Sequence, residues 1–248
     1  MIVINNLKKV YNGVTVVNIP QLEIKKGESV GLVGNNGAGK TTLFRMILDL
    51  IRPESGEVLS NGEVVAGHEA WKNYTASYLD EGFLIDYLTP EEYFYFIGGL
   101  HQQNQAQVND FLATLSDFFN GEILKRGKYI RDLSKGNQSK VGIASCLLQN
   151  PELLMLDEPF ANIDPSTQIR LKNMLKDLNK RQGVTTLISS HDLSHITDVC
   201  ERILLMEKGK IIKDIATNSS TLAELENYFA VGQSTAPALP TIDEEENH

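Results

Sequence analysis

The sequence predicts an α/β fold built on a mostly parallel sheet, and three observations carry that prediction. Strand-like runs alternate with helical ones along the chain: Ser29 to Val33 before a helical stretch from Thr41 to Ile51, then Leu153 to Leu156, Thr185 to Ser189 and Arg202 to Met206 around an amphipathic helix from Ser166 to Gln182. A glycine-rich loop joins the first of these strands to its helix. A second apolar strand ends in two carboxylates, Asp157 and Glu158. At 248 residues and 42% apolar content, the chain fits one large domain, or a core plus a subdomain, with enough apolar surface for a substantial core.

The elements follow in order. Ile2 to Leu7, Val14 to Val17 and Leu22 to Ile24 read as short strands of an N-terminal antiparallel β subdomain, with Lys25-Lys26-Gly27-Glu28 as a turn. After the glycine loop, Leu43, Met46, Ile47, Leu50 and Ile51 recur at helical spacing. Arg52 to Val58 ends that helix and opens another strand. From about Thr89 to Gln149 the pattern becomes helical and predicts an inserted α-helical subdomain. Thr89 is a good N-cap, Pro90 suits the first helical position, and Glu91 and Glu92 follow in the first turn. Val108, Phe111, Leu112, Leu115, Phe118 and Phe119 form one apolar stripe, read as packing surface. In the later helix Ile169, Met174, Leu175 and Leu178 mark the buried face. Gly209 turns the chain into a hairpin from Lys210 to Ile215, and Thr221 with Glu224 predicts a capping box on a short terminal helix. Residues 1–230 thus form the domain. Residues 231–248, rich in Gly, Ser, Pro and acid, read as a disordered acidic tail ending in Asp243 to Glu246.

Composition excludes several classes. A net charge of −9 argues against nucleic acid as a partner, because nucleic-acid binding relies on Lys and Arg neutralising phosphates. Cys146 and Cys200 lie in apolar stretches and read as buried free thiols, compatible with a reducing compartment; two isolated cysteines give no zinc pattern. Met1 to Asn6 lacks the basic region and cleavage site of a secretory signal. No run approaches the ~20 apolar residues that span a bilayer. The expectation is a soluble cytoplasmic chain, able to sit on a membrane through a partner.

The loop itself reads Gly34-Asn35-Asn36-Gly37-Ala38-Gly39-Lys40-Thr41-Thr42, the full G-x-x-x-x-G-K-[ST] pattern. Its glycines let the backbone turn its N–H groups inward, and the following helix end presents further free N–H groups and a positive partial charge. Lys40 can reach the outer phosphates of a polyphosphate, and the Thr41 hydroxyl can ligate Mg²⁺. Asp157, at a strand tip, can hold the same cation directly or through water. Glu158, one residue on, is placed to act as general base toward water. His191 follows the strand Thr185 to Ser189, and strand tips of a parallel sheet crowd around one crevice, so His191 can touch the terminal phosphate and keep water and Glu158 in register. His195, one helical turn later, reads as surface or structural.

Taken with Leu133-Ser134-Lys135-Gly136-Asn137-Gln138, these residues resemble the nucleotide-binding domain of the ATP-binding cassette (ABC) family. That segment is similar to the family signature Leu-Ser-Gly-Gly-Gln, and it stands before the Asp157 strand at a helix start. The resemblance runs from residue 1 to about 230. It implies a P-loop NTPase core, with ATP and Mg²⁺ as ligands. It implies that Tyr11 stacks on adenine and that Ser134 and Gly136 contact the γ-phosphate of ATP held by a second nucleotide-binding subunit, a copy of this chain or a relative. It implies that Ala161-Asn162-Ile163-Asp164 is the loop that meets that subunit, with Asp164 coupling the two sites. The family's Gln-bearing loop reads Tyr78-Leu79-Asp80-Glu81-Gly82 here; Glu81 best fits the Gln position, with Asp80 as second choice, and a carboxylate there can ligate Mg²⁺ but cannot donate the hydrogen bond with which a Gln senses nucleotide. Lys135, Asn137, Ala161 and Asn162 also depart from the pattern.

Two functions follow from the resemblance. One is the ATP-hydrolysing subunit of a membrane transporter, with transmembrane permease subunits on separate chains and this chain on the inner face of the membrane. The loop and the short helical subdomain look most like bacterial export-type or bacteriocin-resistance-type cassettes, with import as the alternative. The other is a soluble non-transport ABC ATPase, such as an assembly factor. A binding module without hydrolysis is disfavoured by Glu158.

Overall fold

The computed structural model describes residues 1–233, with Glu81 and residues 230–233 described by backbone alone. The acidic tail read for residues 231–248 falls almost wholly outside them. Two sheets organise the chain. β1 (Ile2–Tyr11) and β2 (Val14–Ile24) form one long antiparallel hairpin. Three short strands were expected from the sequence over this stretch; Asn18 and Pro20, which interrupt the apolar pattern, simply sit at positions within the second strand. β3 (Ser29–Val33) leaves this layer for the second sheet and leads through the glycine loop into α1 (Lys40–Ile47). β4 (Ser55–Ser60) and β5 (Glu63–Val64) then complete the first sheet, in the order β2-β1-β4-β5.

α1 ends at Ile47, a turn short of the Ile51 that the apolar spacing suggested. Asp49 takes a left-handed conformation (φ +51°), which an aspartate tolerates, and the N–H groups of Leu50 and Ile51 both donate back to the Arg45 carbonyl. Leu50 is left exposed.

After β6 (Thr75–Tyr78) the chain runs through four helices: α2 (Pro90–Leu100), α3 (Gln105–Thr114), α4 (Ser116–Phe119) and α5 (Lys135–Leu148). Thr89 caps α2 in a full capping box with Glu92. The stripe from Val108 to Phe119 is divided between α3 and α4 at Leu115, yet Val108, Leu112, Leu115, Phe118 and Phe119 all remain buried in one core. β7 (Leu153–Asp157), α6 (Pro165–Gln182), β8 (Thr185–Ser190), α7 (Leu193–Val199), β9 (Arg202–Glu207), β10 (Lys210–Ala216) and α8 (Thr221–Gln233) follow. On α6, Leu171 and Leu175 are buried, whereas Ile169 is exposed and does not join the buried face. At α8 the expected box is absent. Thr221 lies inside the helix and its hydroxyl accepts the Asn218 N–H at 2.9 Å, while the Ser220 hydroxyl meets Glu224.

The second sheet has the order β10-β9-β3-β8-β7-β6, parallel throughout except for β10 at its edge. Its inner strands β3, β7, β8 and β9 are largely buried on both faces and sort their side chains by parity. Val30, Leu32, Leu153, Met155, Leu187 and Leu204 face α1 and the antiparallel sheet. Val33, Leu154, Leu156, Ile188, Ile203 and Leu205 face the other core, against α5, α6 and α7. Asp157 continues the parity of Leu153 and Met155, and Ser189 that of Leu187, so both emerge on the α1 side. Cys146 and Cys200 are buried free thiols, and burial pushes each up to about 12.

Candidate active site

The glycine loop rises from the C-terminal end of β3, with β8 and β9 as its neighbours. Gly39 sits at φ +107°, and a Cβ there would come 2.7 Å from the Val16 carbonyl oxygen, so only glycine lets the loop close beneath the antiparallel sheet. Val16, residues 36–42 and Glu158 line one cavity of about 270 Å³. Lys40 is buried and folds back over the loop, donating to the Gly34 carbonyl at 2.6 Å.

Asp157 is opposite Ser189 in the β7–β8 register. Its carboxylate is held at both ends: Oδ2 accepts the Thr41 hydroxyl at 2.5 Å, and Oδ1 accepts the Ser189 hydroxyl. Burial raises this carboxyl above the ordinary range, and those two hydrogen bonds pull it back. Two hard oxygens, from Thr41 and Asp157, stand together at the mouth of the loop, a donor set that fits Mg²⁺ completed by phosphate and water oxygens.

Glu158 lies between Lys40 and His191. Its Oε1 is 3.3 Å from Lys40 Nζ, and its Oε2 is 2.9 Å from His191 Nδ1. Oε1 is shielded from solvent and has no hydrogen-bond partner. A carboxylate oxygen with lone pairs to spare can accept from water once the neighbouring Lys40 ammonium is drawn elsewhere. The Glu158 backbone is left-handed (φ +48°), and its N–H donates to the Ser189 hydroxyl at 3.0 Å and the Ser189 carbonyl at 3.2 Å. His195 is structural, as read from sequence: its ring lies 4.7 Å from that of Phe160, and burial holds the imidazole below its usual range.

Other residues singled out in the sequence lie elsewhere. Neither Tyr11, Ser134, Gly136 nor Asp164 lines the loop cavity. Tyr11 ends β1 with its ring exposed and the Lys9 ammonium 5.2 Å from its centroid. Ser134 caps α5, accepting the Asn137 N–H at 3.3 Å, and both Ser134 and Lys135 are exposed. Gly136 is buried against the 162–164 segment: a Cβ would stand 2.2 Å from the Asn162 carbonyl oxygen. Asp164 caps α6, accepting from the Ser166 hydroxyl and from Thr167; these bonds hold its carboxyl well below the usual range. Glu81 opens a single 3₁₀ turn, and its side chain lies outside the described residues. Asp80 is occupied locally, accepting the Gly82 N–H at 2.7 Å and standing 3.6 Å from Arg45 of α1.

Sequence reasoning missed three residues. Ser189 ties Asp157 to Glu158; the available signal was a hydroxyl near the C-terminal end of its strand, at the parity of the site. Gln138 donates to the carbonyls of Ile130 (3.0 Å) and Leu133 (3.2 Å), fixing the chain as it enters α5. Lys140 is a buried cation on α5.

A cavity floored by helix N–H groups selects an anion, and carboxylates on its rim are compatible with that anion only with a cation between them. That requirement defines the class, a P-loop NTPase core. Comparison with known proteins narrows it. Residues 17–161 match the family model described as ABC transporter, and the chain belongs to that family. Over 86% of its length it is 33% identical to the methionine import ATP-binding protein MetN of Carboxydothermus hydrogenoformans, covering 66% of that protein. Over 85% of its length it is 35% identical to the uncharacterized ABC transporter ATP-binding protein YhaQ of Bacillus subtilis, covering 69% of it. The chain therefore spans about two thirds of the length of these relatives. In structure it resembles MJ0796, a bacterial ABC transporter cassette solved as a dimer, with a TM-score of 0.78 over 88% of this chain and 100% of that one at 23% identity, a likeness of fold. The ATP-binding chains of the family hydrolyse ATP, and this chain is an ATPase of that family.

Proposed function

We propose that the chain is the ATP-hydrolysing subunit of a membrane transporter, and that two such subunits close head to tail around ATP. Residues 1–230 form the nucleotide-binding domain in this reading, with the helical subdomain at about 89–149. The observation that carries it is the position of the α5 N-terminus: Ser134 and Lys135 are exposed there, and neither lines the chain's own loop cavity. A helix N-terminus of this kind suits a phosphate presented by another chain.

ATP enters with its phosphates on residues 34–42 and its adenine on Tyr11. Lys40 leaves the Gly34 carbonyl and Glu158 for the outer phosphate oxygens. Glu158 takes a proton from the attacking water at Oε1, while His191 keeps the carboxylate turned by its hold on Oε2. Mg²⁺, when bound by Thr41 and Asp157 with Glu81 as a further candidate ligand, supplies charge neutralisation on the phosphates. Closure is driven because ATP contacts both subunits only in the closed state. Among the described residues no helix is long and apolar enough to cross a membrane, which accords with permease subunits on other chains. The similarity to a protein named for transporter ATP binding, MetN, and to a dimeric cassette supports the transporter reading. For direction we propose export, on the form of the loop and helical subdomain. MetN is named for import, so vesicle transport assays in both orientations decide it.

The test is Glu158→Gln. It should remove turnover and leave an ATP-dependent dimer measurable by light scattering. Turnover at the parent rate would overturn the base assignment. Purification of the native complex from detergent should bring down integral membrane chains; recovery with soluble partners only would favour the assembly-factor reading.

A further inference from the structure

We infer that Lys140 is a positioning residue that keys α5 to the turn carrying Glu158, so that a phosphate sensed at the α5 N-terminus of one chain alters that chain's own hydrolytic site. The inference rests on the head-to-tail reading above. Lys140 lies in the middle of a helix whose residues from Gln138 to Leu148 are all buried, and its side chain is only 2% exposed. Its ammonium is 3.4 Å from Glu122 Oε2 and 3.6 Å from Asp164 Oδ2. The two carboxylates come from different parts of the fold. Glu122 follows α4 in the helical region, and Asp164 caps α6 in the core.

Gly136 is one turn earlier on the same face of α5, and its missing side chain makes room for the Asn162 carbonyl. Two consecutive turns of the helix therefore grip residues 162–164. That segment is in turn fixed to Glu158: the Ala161 N–H donates to the Glu158 carbonyl at 3.1 Å, and Gln168 of α6 holds the Phe160 carbonyl at 2.9 Å. A tilt or shift of α5 is thus passed through Asn162 and Asp164 to the catalytic turn.

The choice of an ammonium here points the same way. A methionine would fill the space without desolvating a charge, and buried ion pairs are a weak source of stability. Glu122 and Asp164 are 48% and 46% exposed, so both are hydrated already and lose little if the lysine is removed. What the ammonium adds is a directional tie to both elements at once.

The experiment uses the full chain with Lys140→Met and Lys140→Arg. For Lys140→Met the melting temperature is expected to hold or rise, KM for ATP to stay within about twofold, and kcat to fall about tenfold, with the Hill coefficient for ATP dropping toward 1. Lys140→Arg, which keeps the charge and reach, should restore most of kcat. If Lys140→Met lowers the melting temperature and the folded fraction keeps full kcat, or if Arg fails as badly as Met, the inference is overturned. Should Lys140→Met not fold, Glu122→Gln on the exposed loop is the second probe; it should lower kcat about threefold, and an unchanged kcat sinks the inference. Failure of the underlying reading is separately visible: Glu158→Gln would then show no ATP-dependent dimer, whatever Lys140 does.

Discussion

Ser189→Ala tests how the site is held together. The Ser189 side chain is fully buried, donates to Asp157 Oδ1 and accepts the Glu158 N–H. Removing the hydroxyl takes a hydrogen bond from a charged, buried carboxylate, a loss of about 1.5–3 kcal/mol. The Glu158 N–H retains the Ser189 carbonyl at 3.2 Å, so its share of the loss is small, about 0.5 kcal/mol. The expected destabilisation is therefore about 2–3.5 kcal/mol, or about 4–14 °C in melting temperature for a chain of this size. The functional effect is separate. Asp157 would keep only Thr41 as partner, and loss of an orienting hydrogen bond on a metal ligand weakens metal affinity by about 10–100-fold. Both are measurable, by urea or thermal unfolding and by Mg²⁺ titration of ATPase activity at saturating ATP. Ser189→Thr supplies the contrast. It keeps the hydroxyl but adds a methyl at a fully buried position, costing about 1–3 kcal/mol. Thr should lose stability with Mg²⁺ half-saturation near wild type, whereas Ala should lose both. An Ala variant with wild-type Mg²⁺ dependence would refute the reasoning.

Three further outcomes follow from the geometry. Lys40→Ala removes the buried ammonium beside Glu158 and should weaken ATP binding by more than about 100-fold, read by fluorescent-nucleotide titration; wild-type binding would discard the loop assignment. Ser134→Arg places bulk and charge at the exposed cap of α5 and should abolish ATP-driven pairing by light scattering while leaving ATP binding to the single chain intact. Asp164→Ala removes the α6 cap at a cost of about 1 kcal/mol. That difference from wild type has a definite pH dependence. The Ser166 and Thr167 hydroxyls and the Thr167 N–H, with Lys140 adding to them, hold the Asp164 carboxyl below its unfolded value. Its contribution is thus complete above the unfolded value of about pH 4 and disappears as pH falls below it. Unfolding of both proteins between pH 3 and 8 should show the gap constant at the upper end and closing at the lower; a gap that widens in acid would contradict the cap.

Legibility in the sequence followed how local the cause was. The loop from Gly34 to Thr42, the apolar runs of β3, β7, β8 and β9 and the Thr89 cap each depend on residues within a few positions of one another and stand as read to within a residue, whereas β6 is not read from the sequence. The end of α1 was misread because the signal was a left-handed Asp49, whose cost an apolar count does not register. The N-terminal strands were cut short because β1 and β2 are held by pairing with each other, and pairing tolerates Asn18 and Pro20. Asp157, Glu158 and His191 were legible because strand tips converge in a parallel sheet. Ser189 and Lys140 were not, because their importance is a matter of register and of burial: Ser189 matters only once β8 lies beside β7, and Lys140 only once α5 is buried beneath residues 162–164.

The Glu158 backbone shows why register matters for catalysis. Glu158 precedes Pro159, and the proline ring drives the preceding residue toward extended conformations. Instead Glu158 is left-handed at φ +48°, a state that costs a non-glycine residue about 1–3 kcal/mol. Something must hold it there. Its own N–H is fixed by Ser189, and its side chain is drawn to Lys40 on one side and His191 on the other. An extended residue would carry the carboxylate onward along β7, away from the loop; the left-handed turn brings it back over Lys40. The strain is thus the means by which a strand end delivers a base to the phosphate site, and Ser189 is a contact in that arrangement that nucleotide binding has no reason to disturb. Lys40 has phosphate oxygens to turn to when ATP arrives, whereas His191 keeps its hold on Oε2. Ser189, through both its hydroxyl and its carbonyl, and His191 then keep Glu158 in place during turnover, so Ser189→Ala, which spares the carbonyl, should lower kcat only modestly where Mg²⁺ is saturating.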